Sequence, residues 1–232
     1  MKSINLLFFL LSLHIAKGQE TSGYTYAKAT ADGTGKYYMG REIAQVMGPG
    51  GIDWLERPQR QNEENTRLAI SKMNLAPGAV VADIGAGSGY YAFRIASKVP
   101  EGKVYAVEVQ HEMISYLNKK KKEIRANNVI VVKGDSEDVH LPPASIDLAI
   151  MVDVYHELSW PVEVVRSIRK SLKPSGKILL IEYRGEDPAV PIRELHKTTI
   201  RQVTKEFHAA DFELDYRGEF LPIQHFLVFR KM

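Results

Sequence analysis

The sequence predicts an α/β fold, a mostly parallel sheet with helices on both faces that ends in an antiparallel hairpin. Three observations predict it. From Ala79 onward, short apolar runs alternate with stretches of helical spacing. A glycine loop, Gly85 to Gly89, joins the first run to the helix after it. The last two strand-like stretches are separated only by Leu221-Pro222-Ile223, too short for a crossover.

The chain opens with Lys2, an apolar run from Ile4 to Ile15 and the small-residue site Ala16-Lys17-Gly18. The run is short for a bilayer span, so 1–18 is expected to be a cleaved secretory signal. The mature protein would then be exported, periplasmic or secreted, without stable membrane insertion. The alternatives are an uncleaved membrane anchor or a buried core helix. Residues 19–66 are expected to form a polar leader, Gln19 to Gly35, and covering helices at Arg41 to Met47 and Gln59 to Met73, divided by the turn Gly48-Pro49-Gly50-Gly51. Residues 67–232 form the main domain.

Within that domain Val80 to Ala82 end the first strand, Asp83 is the first charge at its carboxyl end, and Tyr90 to Ser97 continue as a helix. The second strand is Lys103 to Val107, ending in Glu108. A helix from Glu112 to Arg125 carries Lys119 to Lys122, four lysines that spread round its cylinder as a solvated face. The third strand is Val129 to Lys133 and the fourth Ile146 to Val152. A helix from Pro161 to Leu172, a stop at Lys173-Pro174-Ser175-Gly176 and a fifth strand from Lys177 to Tyr183 follow. A helix from Lys197 to Ala209 precedes the hairpin strands, Glu213 to Phe220 and Gln224 to Arg230.

Spacing narrows the ligand of the glycine loop. A G-x-G-x-x-G dinucleotide fingerprint would need its third glycine at Tyr90, and a P-loop would need Gly-Lys-Ser/Thr where Gly89-Tyr90-Tyr91 stands. What remains is Asp83-x-Gly85-x-Gly87-x-Gly89, an acid two residues before three alternating glycines. Glu108 follows at the distance where a carboxylate accepts from ribose hydroxyls. Gly134-Asp135-Ser136-Glu137-Asp138 ends the third strand, and Asp153-Val154-Tyr155-His156-Glu157 ends the fourth.

These four motifs, in this order, resemble those of the class I S-adenosylmethionine-dependent methyltransferases, in the type 11/25-like group, over roughly Leu68 to Met232. The resemblance implies a Rossmann-like sheet of seven strands, the last running against the others, with S-adenosylmethionine as cofactor. It implies that Asp83, Gly85, Gly87 and Gly89 hold the methionine end, Glu108 the ribose, Asp135 and Ser136 the adenine, that Asp153 joins the methionine side, and that Ala86 and Val109 also border the cofactor. The expected activity is methyl transfer to oxygen or nitrogen of a small-molecule or lipid-like acceptor. The alternative is a catalytically silent binding module that keeps the nucleoside pocket.

His156, Glu157 and Tyr155 are the acceptor-side candidates: His156 as a neutral base, Glu157 as its orienter, Tyr155 as an aromatic wall. His196 and His225 join them only if the carboxyl-terminal segments fold over the mouth, and Trp54 is either a lid or an anchor. No metal is expected. The pair Asp153 and Glu182 offers hard oxygen ligands for magnesium, but Tyr183-Arg184 stands where a further carboxamide is needed. Composition adds exclusions. The chain of 232 residues is 44% hydrophobic and 25% charged, an ordinary globular balance, and its lack of cysteine removes disulfides, thiolate sites and thiol nucleophiles. Losing Lys2 and Lys17 lowers the formal charge from +3 by two, leaving no field that would favour nucleic acid.

Overall fold

The computed structural model describes residues 23–232. The expected signal segment and its cleavage site lie outside the described residues. The first described elements differ from the expected leader and helix. They are three strands, β1 (Tyr24–Tyr26), β2 (Gly33–Tyr38) and β3 (Arg41–Ala44), paired in a small antiparallel sheet. Tyr38 faces Arg41 across Met39-Gly40, whose φ angles of 49° and 96° are both positive, as a tight primed hairpin turn requires. The apolar spacing of residues 41–47 suits a helix, but this turn sets Arg41 beside Tyr38 and holds the segment extended. The expected helix over Gln59 to Met73 is also divided. After α1 (Ile52–Leu55), α2 (Arg60–Glu64) stops at Asn65, which takes φ 54° and caps α3 (Thr66–Lys72) by accepting from Leu68 N–H.

The remaining strands are β4 (Val80–Ile84), β5 (Lys103–Glu108), β6 (Val129–Lys133), β7 (Ile146–Val152), β8 (Leu172–Arg184), the two-residue β9 (Lys197–Thr198), β10 (Phe212–Gly218) and β11 (Gln224–Lys231). Seven of them form the expected sheet in the order β6-β5-β4-β7-β8-β11-β10, and β9 adds to the end of β8. From β6 to β8 neighbours are parallel, while β11 is antiparallel to both β8 and β10.

The central strands are buried on both faces, which their runs of Val, Ile, Leu and Ala allow. Helices α4 (Tyr90–Ala96) and α5 (His111–Glu123) cover one face with α3, packing Ala69, Ile95 and Leu117 against Val81 and Ala106. On the other face, α6 (Pro161–Ser171) and α7 (Ile200–His208) pack Val165, Ile168 and Phe207 against Ala82, Ala149 and Leu180. The order reverses at β4, flanked by β5 on one side and β7 on the other. An open α/β sheet leaves a crevice there, beyond the carboxyl ends of its strands. Among the described residues no helix is long and apolar enough to cross a membrane.

Candidate functional site

A cavity opens at that reversal, lined by Asp83 to Gly87 from the end of β4, by Glu108 and Val109 at the end of β5 and by Asp135 and Ser136 after β6. Asp153 and Glu157 after β7 form its far end, while Met47 and Leu55 close it from the amino-terminal segment.

The loop after β4 is satisfied by the protein itself. Gly85 and Ala86 N–H both donate to Val107 O, at 2.9 and 3.0 Å, and Gly87 N–H donates to Glu108 Oε2 at 2.9 Å. These three N–H groups are thus already paired within the protein. The glycines instead permit backbone angles that side chains resist, with φ of 68° at Gly85 and 52° at Gly87. They also leave room, since a Cβ on Gly85 would strike Val154 and one on Gly87 would lie 2.9 Å from Leu55 Cδ1. Gly89 is different. It does not line the cavity, and its Cβ would strike the Phe93 ring, so its glycine serves helix packing at the start of α4.

The acids at the three strand ends meet unlike surroundings. Asp83 is buried at 3% exposure, and its Oδ2 has no hydrogen-bond partner. Burial pushes its carboxyl up to about 7, against the opposing pull of Ala92 N–H and Arg60. Glu108, 4% exposed, accepts from three backbone groups, Gly87 N–H at Oε2 and the N–H of Val109 and Gln110 at Oε1, 2.7 and 3.0 Å away. A carboxylate has about four lone-pair positions, so Glu108 keeps capacity for further donors. Asp135 is exposed and closes its own turn by accepting from Glu137 and Asp138 N–H at 2.8 and 2.7 Å, which holds its carboxyl below the ordinary range.

Asp153 takes φ 52° and turns towards the back wall, accepting both 2.9 and 2.8 Å contacts from Gln224 Nε2 and lying 3.6 Å from Arg60 Nη2. Burial first, then the nearby Glu64 charge, raises its carboxyl well above the usual range. Arg60, which local sequence does not single out, is 4% exposed, donates to Glu64 Oε2 at 2.7 Å and to Leu55 O at 3.0 Å, and borders both this cavity and the next.

A second cavity shares Met47, Leu55, Arg60, Asp153 and Glu157 with the first and adds Trp54, His156, Tyr183 and His196. Trp54 is 45% exposed on its rim, under the Arg57 guanidinium at 3.8 Å. The carboxyl-terminal segment does fold over this mouth, bringing His196 Nδ1 to 3.1 Å from His156 Nε2. His225 instead meets Glu186, at 2.8 Å, and stays out of the cluster. The other ring nitrogen of His156 lies 2.6 Å from Glu182 Oε2. Burial pulls His156 down, but Glu182, with Glu157 behind it, outweighs burial and lifts it to about 10. The neutral imidazole expected at physiological pH is therefore corrected to a charged one in this arrangement. Burial raises Glu157, and the facing imidazoles, His156 first, outweigh it and bring it down to about 2.

Tyr155 lines neither cavity. It is 1% exposed, donates from its hydroxyl to Glu206 Oε2 at 2.7 Å and packs against Phe207 with ring centroids 5.2 Å apart. Its expected place on the acceptor wall is corrected to one in the core. Lys120, expected on a solvated face, donates to Glu56 Oε1 at 2.7 Å, and the same oxygen accepts from Ser88 Oγ at 2.6 Å. Glu56 thus fastens the covering segment to both the glycine loop and α5.

These surroundings suit S-adenosylmethionine. A buried carboxyl group with one unpartnered oxygen fits an ammonium group, Glu108 fits a diol, and a cradle that a Cβ on Gly87 would fill leaves space between them. Comparison with known proteins agrees. A family described as a methyltransferase domain matches residues 81–176. An uncharacterized methyltransferase, YdaC of Bacillus subtilis, is 24% identical over 66% of this chain and 82% of its own. A probable cobalt-precorrin-6B C(15)-methyltransferase of Sulfurisphaera tokodaii is 30% identical over 54% of this chain and 65% of its own. A crystal structure of a SAM-dependent methyltransferase from Aquifex aeolicus superposes with TM-score 0.76 at 24% identity, covering 81% of this chain and all of that one (100%). Over its central part the chain is thus similar to a methyltransferase domain, its fold is that of S-adenosylmethionine-dependent methyltransferases, and its first cavity suits S-adenosylmethionine as the cofactor.

Proposed function

We propose that this protein transfers a methyl group from S-adenosylmethionine to an oxygen or nitrogen of a small-molecule or lipid-like acceptor. The observation that carries the reading is the shared wall: the cofactor cavity and the second cavity meet at Met47, Asp153 and Glu157, so a donor in one adjoins an acceptor in the other. Bound S-adenosylmethionine supplies the electrophilic methyl. The chain's own work is placement and charge. Asp83 pairs with the ammonium end, Glu108 accepts from the ribose hydroxyls, and Asp135 and Ser136 border the adenine.

Glu157, ionised at the junction, accepts from an acceptor O–H or N–H and aims its lone pair at the cofactor cavity. His156, held charged by Glu182, donates rather than accepts and supports negative charge on the acceptor. Met47 and Leu55 exclude water above the junction. The second cavity favours turnover over a silent binding module, since binding cofactor alone requires only the first. Incubating the purified protein with methyl-labelled cofactor and a cell-envelope extract tests this reading. Label in an extract component is expected, and cofactor binding without transfer would leave only the module.

Export remains part of the proposal. It is supported by Lys2, the Ile4 to Ile15 run and Ala16-Lys17-Gly18.

A further inference from the structure

The geometry points to a divalent-cation site formed by His156, Glu157 and His196 on the wall of the second cavity, with Zn²⁺ the ion its donor set fits best. Among the described residues these three side chains bring ligand atoms together in one group. His156 Nε2 and His196 Nδ1 are 3.1 Å apart, and Glu157 Oε1 lies 3.7 Å from the first and 3.5 Å from the second. The two distances to Glu157 exceed the 2.7–3.2 Å of an N–H···O hydrogen bond. Together with the 3.1 Å imidazole pair they bracket the edge of a coordination tetrahedron, which bonds of 2.0–2.1 Å make about 3.3–3.4 Å long.

The groups behind the triangle are arranged as outer partners of a metal site. Glu182 Oε2 holds His156 Nδ1 at 2.6 Å and leaves Nε2 to face the cluster, where an incoming cation displaces the Nε2 proton that the metal-free protein carries. Glu182 is fixed in turn, its Oε1 accepting Val154 N–H at 3.1 Å and Tyr155 N–H at 2.7 Å. Met47 N–H holds Glu157 Oε2 at 3.1 Å, leaving Oε1 inward. Two histidines and one glutamate with an open fourth position form the donor set of hydrolytic and Lewis-acid zinc centres. All three residues line the second cavity, which gives an acceptor access to the group. This set is not the magnesium pair considered from the sequence, because Asp153 is turned to Gln224 and Glu182 to His156.

The bearing on substrate rests on the methyltransferase reading. A hydroxyl or phenol in the second cavity would take the fourth position, where the ion lowers its pKa. Its proton leaves to solvent, an oxygen lone pair forms the new O–C bond, and the S–C bond pair stays on sulfur. S-adenosylhomocysteine then departs as a neutral thioether.

The full-length protein, stripped with chelator, is titrated with Co²⁺ followed by visible absorption, then with competing Zn²⁺. One equivalent of Co²⁺ with the intense bands of four-coordination is expected, lost on Zn²⁺ addition. His196→Ala and Glu157→Gln should each weaken binding at least tenfold. His196 is the more exposed of the two imidazoles, and His156→Gln serves as the milder change at the buried position. 4-Nitrophenol should shift the Co²⁺ bands, and unshifted bands would overturn the acceptor class. Absence of stoichiometric binding, or equal affinity in His196→Ala, would overturn the site. Calorimetry with S-adenosylmethionine on the same samples separates the two readings. Cofactor binding without Co²⁺ binding sinks the metal site alone, and Co²⁺ binding without cofactor binding leaves the site standing while the methyltransferase reading falls.

Discussion

Gly87 N–H donates to Glu108 Oε2 at 2.9 Å, so the glycine loop after one strand is fastened to the acid that ends the next. The two residues act as one unit. Both line the first cavity, so a change at either removes support from the wall that the other forms.

Gly87→Val tests the loop side. The new side chain must adopt φ 52° and meet Leu55, whose Cδ1 is already 2.9 Å from an added Cβ. Backbone strain of this kind costs about 1–3 kcal/mol before any clash with ligand. Calorimetry on folded variant should find S-adenosylmethionine affinity reduced at least tenfold, and undiminished binding would refute the assignment of this loop.

Glu108→Ala and Glu108→Gln test the other side, and they should differ. Alanine leaves three backbone N–H groups without their acceptor at a buried position, so both melting temperature and affinity should fall. Glutamine keeps the shape and one acceptor oxygen but removes the charge. Its affinity for cofactor should drop by about 1.5–3 kcal/mol, with a smaller loss of melting temperature.

Asp83 makes cofactor binding depend on pH. Its folded value of about 7 lies above the unfolded value, so its contribution to stability is present below the unfolded value and lost as pH rises through 7. An ammonium ligand reverses the balance by favouring the carboxylate. Affinity for S-adenosylmethionine should therefore rise from pH 6 to pH 8. Isothermal titration across that range checks it, and a slope that persists in Asp83→Asn would assign it to another group.

Tyr155→Phe separates core from site. The change strands Glu206 Oε2 of one hydrogen bond in the core, although Arg41 still holds Glu206 at 2.8 Å. Chemical denaturation should show a loss of about 1–3 kcal/mol. Label transfer per folded molecule should be unchanged, and a hundredfold fall would return Tyr155 to the acceptor wall.

Mass spectrometry of protein recovered from its native cell should find a chain starting at Gln19. An intact Met1 or Lys2 terminus in the cytosolic fraction would exclude cleavage.

The central sheet was legible because strands buried on both faces must be nearly continuous apolar runs, and β6 and β7 match their expected limits residue for residue. The acids that line the first cavity were legible because each stands at or just beyond a strand end. The amino-terminal hairpin was not. Ile43, Ala44, Val46 and Met47 have helical spacing, and Met39 gives no chemical sign that it will accept a positive φ. At the acceptor side the short turn Tyr155–Glu157 sends three neighbours to different places: Tyr155 to Glu206, His156 to Glu182 and Glu157 to Met47. Linear order carries no information on that divergence. Arg60 and His196 reach the site from distant segments, which only the closed fold brings together.

Met47 N–H donates to Glu157 Oε2 at 3.1 Å and its carbonyl oxygen accepts from Gln110 Nε2 at 3.0 Å, so one residue ties the wall between the two cavities to the far wall of the first. A shift of this backbone on filling either cavity reaches the other without any relay. Thermodynamic linkage then makes the effect mutual: whatever factor S-adenosylmethionine applies to acceptor affinity, acceptor applies to S-adenosylmethionine. Product departure follows the same logic, because the side that empties first sets the grip on what remains.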